Sequence, residues 1–205
     1  MGTLFFAAQL VDVAFFVLVM GGVENMRVVP GITAMNPMDL YHMPYTHSLL
    51  ATTLWGLGFG LIVWTVTRNL SAGIWAAVVV ASHWVLDLLV HRPDLTLSGS
   101  PPKLGLGLWD YPLAAIPLEL ALIGFAMWLY LRRTRGPVGP ALILFAVLLL
   151  FQAINWFGPQ PTRYSIALPL MALLSYAVLI ALARWVGTTR RHRRAAGLAM
   201  GRARR

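Results

Sequence analysis

The sequence predicts an all-α polytopic membrane protein, a bundle of about six transmembrane helices with both termini in the cytoplasm. Three observations lead there. Of the 205 residues, 59% are hydrophobic and 11% charged, with a mean hydropathy of +0.72, outside the balance of a soluble domain. Six apolar runs approach the ~20 residues that a helix needs to cross about 30 Å of hydrocarbon, at 4–20, 48–66, 72–90, 112–131, 138–158 and 164–185. Finally, twelve of the 16 Lys and Arg residues share one side: Arg68, Arg132, Arg133, Arg135, Arg184 and seven arginines after the last run. Arg27, Arg92, Lys103 and Arg163 occupy the other side, so the positive-inside rule assigns the termini to the cytoplasm. Residues 1–187 then form the bundle and 188–205 a basic, disordered tail.

The net charge of +9 sits mostly in that tail, where it suits contact with anionic membrane lipid rather than nucleic acid. The first run carries Gln9 and Asp12 and has no basic residue ahead of it, so it reads as a retained span and not as a cleavable signal. Asp12, about midway along, calls for a partner. The connection 21–46 is long and contains Glu24, Arg27, Asn36, Asp39, His42 and several Pro, Met and Tyr residues. Such a segment is expected to cap the bundle at the membrane surface.

The second run opens at Thr46-His47-Ser48, where small hydroxyl residues suit a helix start. Its Gly56, Gly58 and Gly60 suit close helix packing. The third run holds the densest polar pattern in the chain. His83, Asp87 and His91 recur every four residues, which confines them to an arc of roughly 80° on a helix. Pro93 ends that helix and leaves Arg92 and Asp94 at the outer rim. A Gly, Ser and Pro-rich loop follows, with Trp109 and Tyr111 as interfacial anchors around Asp110, which either reaches the site mouth or serves the next helix N-terminus. Glu119, Gln152 and Asn155 add polar groups to the outer half of spans four and five, while the sixth span reads as scaffold. His42 and His192 read as packing histidines.

The chain has no cysteine, which leaves His and carboxylate as the metal ligands on offer. Asp12, His47, His83 and Asp87 come from three spans, and a divalent metal, zinc first, fits such a set. His91, Arg92 and Asp110 would then handle protons or substrate charge. Hydrolysis is the economical chemistry, because a bound zinc brings the pKa of water to about 7. An interhelical hydrogen-bonded pair would give the same His-x3-Asp spacing, and haem or chlorophyll ligation at His47 or His83 would leave the carboxylates without a role.

Tyr45-Thr46-His47-Ser48-Leu49 followed by Ser82-His83-Trp84-Val85-Leu86-Asp87 resembles the Thr-His-Ser and Ser-His-x3-Asp motifs of the YdjM-like, LexA-regulated inner-membrane metal-dependent hydrolases. Gln9-Leu10-Val11-Asp12 stands where that family carries its early aspartate. The resemblance covers about the first half of the chain. It implies a bacterial inner-membrane location, metal ligation by Asp12, His47, His83 and Asp87, and phosphodiester or lipid chemistry. Asn36 to Tyr41, His91 to Leu95 and Gly105 to Tyr111 resemble a subgroup of bacterial membrane proteins similar to that family. Such relatives carry a Gly-His pair ahead of the first aspartate and this chain does not, which implies either a start assigned late or an absent ligand. With a ligand absent, the expectation becomes a non-catalytic structural or assembly subunit of a larger membrane complex.

Overall fold

A computed structural model of the protein describes residues 1–192. Six helices are long and apolar enough to cross a membrane: α1 (Gly2–Met20), α2 (Leu49–Thr67), α3 (Leu70–Val90), α4 (Pro112–Arg133), α5 (Gly139–Phe157) and α6 (Ala167–Thr189). The chain is therefore an all-α, multi-pass bundle. Local chemistry sets the ends. Ser48 and Asn69 cap α2 and α3 by accepting the backbone N–H groups of Ala51 and Ala72 at 3.1 Å, and Pro112 opens α4, where its missing N–H costs nothing.

Helices α2 and α3 form the tightest pair, antiparallel and joined by the short turn at Arg68. Their approach depends on glycine. A Cβ on Gly60 would lie 2.8 Å from the Gly73 carbonyl oxygen, and one on Gly73 would lie 2.7 Å from that of Gly60. Gly56 likewise faces the Ala77 carbonyl, but a Cβ on Gly58 would meet nothing within 4 Å. Close packing, expected for all three glycines of this run, holds for two of them.

Helix α1 lies between that pair and α6. It packs Ala7, Leu10 and Val11 against Val80 of α3, and it runs antiparallel to α6, so that Gly2 meets Arg184 while Asp12 meets Tyr176. Both termini of the bundle thus lie at one end. Helices α4 and α5 attach more loosely, and Ala115 is the only buried residue of α4.

The connection after α1 has more structure than a cap without regular elements. Strands β1 (Asn25–Val28) and β2 (Met38–His42) pair antiparallel, and Met26, Leu40 and Met43 bury themselves with Phe15, Phe16, Trp84 and Leu95. The ribbon therefore closes the end of the bundle opposite the termini. A second pair, β3 (Thr134–Arg135) with β4 (Arg191–His192), lies at the termini end. Thr188 and Thr189 complete α6, and Arg191–His192 follow as the strand. The rest of the tail, and with it the expectation of disorder, lies outside the described residues.

Candidate metal centre

Four ionisable side chains converge where α1, α2 and α3 meet beneath the ribbon. Asp12 comes from the middle of α1, His47 from the residue before the α2 cap, and His83 and Asp87 from successive turns of α3. Nε2 of His47 lies 3.3 Å from Asp12 Oδ1 and 3.7 Å from Asp87 Oδ2, while Nε2 of His83 lies 3.5 and 3.1 Å from the same two oxygens. The separations suit a shared ion, because ligands about 2.0–2.1 Å from a tetrahedral zinc stand roughly 3.3–3.4 Å apart. Asp12, His47 and His83 offer ligand atoms within 4.8 Å of one another and can hold a metal ion. His83 Nε2 and Asp87 Oδ2 are buried and face each other at 3.1 Å, and neither has a further polar partner outside this cluster among the described residues.

The outer nitrogens decide what the inner ones offer. Thr46 donates its hydroxyl proton to Glu24 Oε2 at 2.6 Å, so at 2.8 Å from His47 Nδ1 its oxygen accepts the ring N–H. Nδ1 of His83 lies 3.0 Å from the carbonyl oxygen of Ala8, which can only accept. Both rings are thereby assigned, from their partners, the tautomer that turns an Nε2 lone pair inward. Tyr176 donates to Asp12 Oδ2 at 3.0 Å and leaves Oδ1 for the centre. Glu24 also accepts the backbone N–H groups of Tyr45 and Thr46 at 2.8 and 3.0 Å, which fixes the segment leading into His47.

His91 follows the same pattern one turn beyond Asp87. Its Nδ1 pairs with Asp94 Oδ1 at 3.1 Å, and its Nε2 lies 3.9 Å from Asp87 Oδ1. Burial opposes its imidazolium, but the Asp94 hydrogen bond and the charges of Asp87, Asp94 and Asp12 outweigh burial and hold His91 above its usual pKa. Trp109 stacks against it with centroids 4.6 Å apart, so this tryptophan belongs to the site and not to an interfacial belt. A cavity of about 210 Å³ adjoins the centre, lined by Asp12, His47, Asp87, His91, Asn155 and Tyr176 among others.

Arg92 and Asp110 stand apart from that cavity. Arg92 pairs with Asp39, which also takes Arg27 at 2.6 Å, and it lies 3.8 Å from Asp94. Asp110 is exposed and accepts the backbone N–H of Ala34 at 3.1 Å. Both tie loops to the ribbon, so the substrate roles expected for them have no support in these contacts. Sequence reasoning passed over Glu24, Thr46 and Tyr176. Tyr176 had a signal, a phenol in mid-span that needs an acceptor, and it corrects the reading of α6 as scaffold alone. Glu119 belongs elsewhere, bound by Gln152 and, at 3.1 Å, by Trp156. No protein-family model matches the chain, and comparisons with the curated proteins and with the solved structures return no match.

Proposed function

We propose that the protein is a metal-dependent membrane hydrolase acting on a lipid-like or phosphoester substrate at the ribbon-capped end; the motif resemblance supports a bacterial inner membrane and the distribution of basic residues supports its periplasmic face. One observation carries the reading: two imidazoles whose Nδ1–H groups are tied outward face two carboxylate oxygens at 3.1–3.7 Å. A structural pair needs no such duplication, and a haem ligand needs no carboxylates. Asp12, His47, His83 and Asp87 would hold the ion, with zinc the best fit to the donor set. When bound, a divalent metal supplies Lewis acidity and makes water nucleophilic near neutral pH.

The chain's own groups supply the rest. His91 borders the cavity with Nδ1 held by Asp94, which orients Nε2 to move a proton between substrate and solvent. Tyr176 fixes Asp12, and Asn155 offers an amide to a polar substrate group. The motif resemblance supports the same chemistry. The alternative, an assembly subunit of a larger membrane complex, draws on the sparse packing of α4, whose faces are open to a partner.

Elemental analysis together with turnover of a phosphodiester in detergent tests the proposal. The expected result is about one divalent ion per chain, lost in His83→Ala, and turnover lost with it. Metal content unchanged by His83→Ala overturns the centre. A metal-replete protein that turns over no phosphodiester or lipid ester and copurifies with a larger complex favours the alternative.

A further inference from the structure

The seam between α1 and α2 carries a second feature, which runs from the ribbon end toward the termini. Helices α1 and α2 diverge and leave a groove of about 750 Å³, which opens beside Tyr45 and Ser48 at the ribbon end and runs past Ala51 and Gly58 to Phe59. A second hollow of about 510 Å³ lies toward the termini between α1, α2 and α6. The two share Phe6 and Phe59, whose rings pack at 5.4 Å. Their polarity differs by depth. The groove is apolar from Ala51 to Ile62 and polar only at its ribbon-end mouth, whereas the lower hollow is rimmed by Arg184, Thr3 and Thr188. Arg184 is exposed and pairs with no acid among the described residues.

The order of these features matches one molecule. A cation beside the Thr3 hydroxyl at the rim suits a phosphate. Beneath them the walls turn apolar and lead to Gly58 near the middle of α2. From Thr3 to Leu10, α1 rises about 10 Å, within the roughly 15 Å reach of one leaflet's hydrocarbon. Because both helices are long and apolar enough to cross a membrane, this surface faces hydrocarbon and not water. Basic residues surround the same end, including Arg132, Arg133, Arg135 and Arg191, which adds to the attraction of an anionic head group. A neutral zwitterionic lipid would fill the groove equally well but gain less at the rim.

We propose that this groove holds one anionic phospholipid of the leaflet at the termini end, with its phosphate on Arg184 and one chain lying over Phe6 and Phe59 toward Gly58. Gly58 makes it testable, since a side chain there enters the groove without touching α3.

Native mass spectrometry of the detergent-purified chain, mixed with phosphatidylglycerol or with phosphatidylcholine of the same acyl chains, reads the site. The expected result is one retained phosphatidylglycerol, favoured over phosphatidylcholine at least tenfold. Arg184→Gln should erase the preference and Arg184→Lys should keep most of it. Gly58→Leu should cut retention of both lipids at least tenfold while the melting temperature stays within a few degrees of wild type. Equal retention of the two lipids by the wild type overturns the proposal. So does a preference that survives Arg184→Gln, a Gly58→Leu protein that keeps its lipid, or a lipid-free dimer in which a second copy covers the groove.

Discussion

The hydroxyl of Thr46 lies 2.8 Å from His47 Nδ1 and gives its own proton to Glu24, so a carboxylate three atoms removed from the centre sets which nitrogen of His47 faces it. Replacing Glu24 with Gln would present an amide N–H to Thr46, reverse the hydroxyl and favour the tautomer that places a proton on Nε2. Loss of such an outer partner commonly costs 10–100-fold in metal affinity. Glu24→Gln and Thr46→Val should each weaken zinc binding by about that range in a chelator competition, with helical content unchanged. Affinity equal to wild type in both would remove Glu24 from any role at the centre.

Tyr176 and Asp12 offer a milder case. Tyr176→Phe removes the donor to Asp12 Oδ2 but keeps the ring packed against Phe16 at 6.3 Å. An Asp12 oxygen left without its donor binds the ion less selectively in direction. The expected loss is about tenfold in zinc affinity, with thermal stability lowered by about 1 kcal/mol for the lost hydrogen bond. Isothermal titration and thermal unfolding of the same samples separate the two effects.

Periodicity made the spans legible. Helix α3, expected over 72–90, runs Leu70–Val90, because a long and mostly apolar run between Asn69 and Pro93 leaves little choice. The inner ligands were legible for a related reason: His83 and Asp87 are conspicuous in an apolar helix, and a lone Asp12 calls for company. What surrounds them was not. Glu24 is one of several polar residues in its connection, and only the β1–β2 ribbon, formed by pairing across a loop, brings it to Thr46. Arg92 sat beside the motif in sequence and so looked functional, yet Asp39, another residue of that ribbon, takes its charge. Sequence spacing reveals groups on one element, whereas the partners that orient them come from contacts no period encodes.

The glycines between α2 and α3 predict a contrast in stability. Gly73→Leu would drive its side chain into the Gly60 carbonyl and Trp64, both 2.7 Å from a Cβ, and overpacking of this kind costs roughly 1–3 kcal/mol. His83 and Asp87 lie on α3 and His47 directly precedes the α2 cap, so the pair would splay at the centre and zinc affinity should fall as well. Gly58→Leu, with open space around it, should change neither. Thermal unfolding with and without zinc reports both quantities.

Arg190 should matter for folding and not for the centre. It is buried, and its guanidinium reaches Thr134 Oγ1 at 2.8 Å and the carbonyls of Gly136, Pro137 and Thr134 at 2.7, 2.8 and 3.2 Å. A lysine has no fork to span those acceptors. Arg190→Lys should therefore lower stability by about 1–3 kcal/mol through the acceptors left unpaired, while metal content stays at the wild-type level.

His91 sets a pH dependence whose sign follows from its raised pKa. A histidine held above its unfolded value of about 6.5 binds its proton more tightly in the folded state, so it adds stability below that pH. The contribution is lost as the pH rises through the folded value. Metal-free protein should accordingly lose stability between about pH 6.5 and the folded pKa of His91. Asp94→Asn leaves Nδ1 a neutral acceptor and removes one of the charges that sustain the imidazolium, and it should flatten that slope. Chemical unfolding of both proteins across the range measures it. An equal slope in Asp94→Asn would assign the dependence to another group.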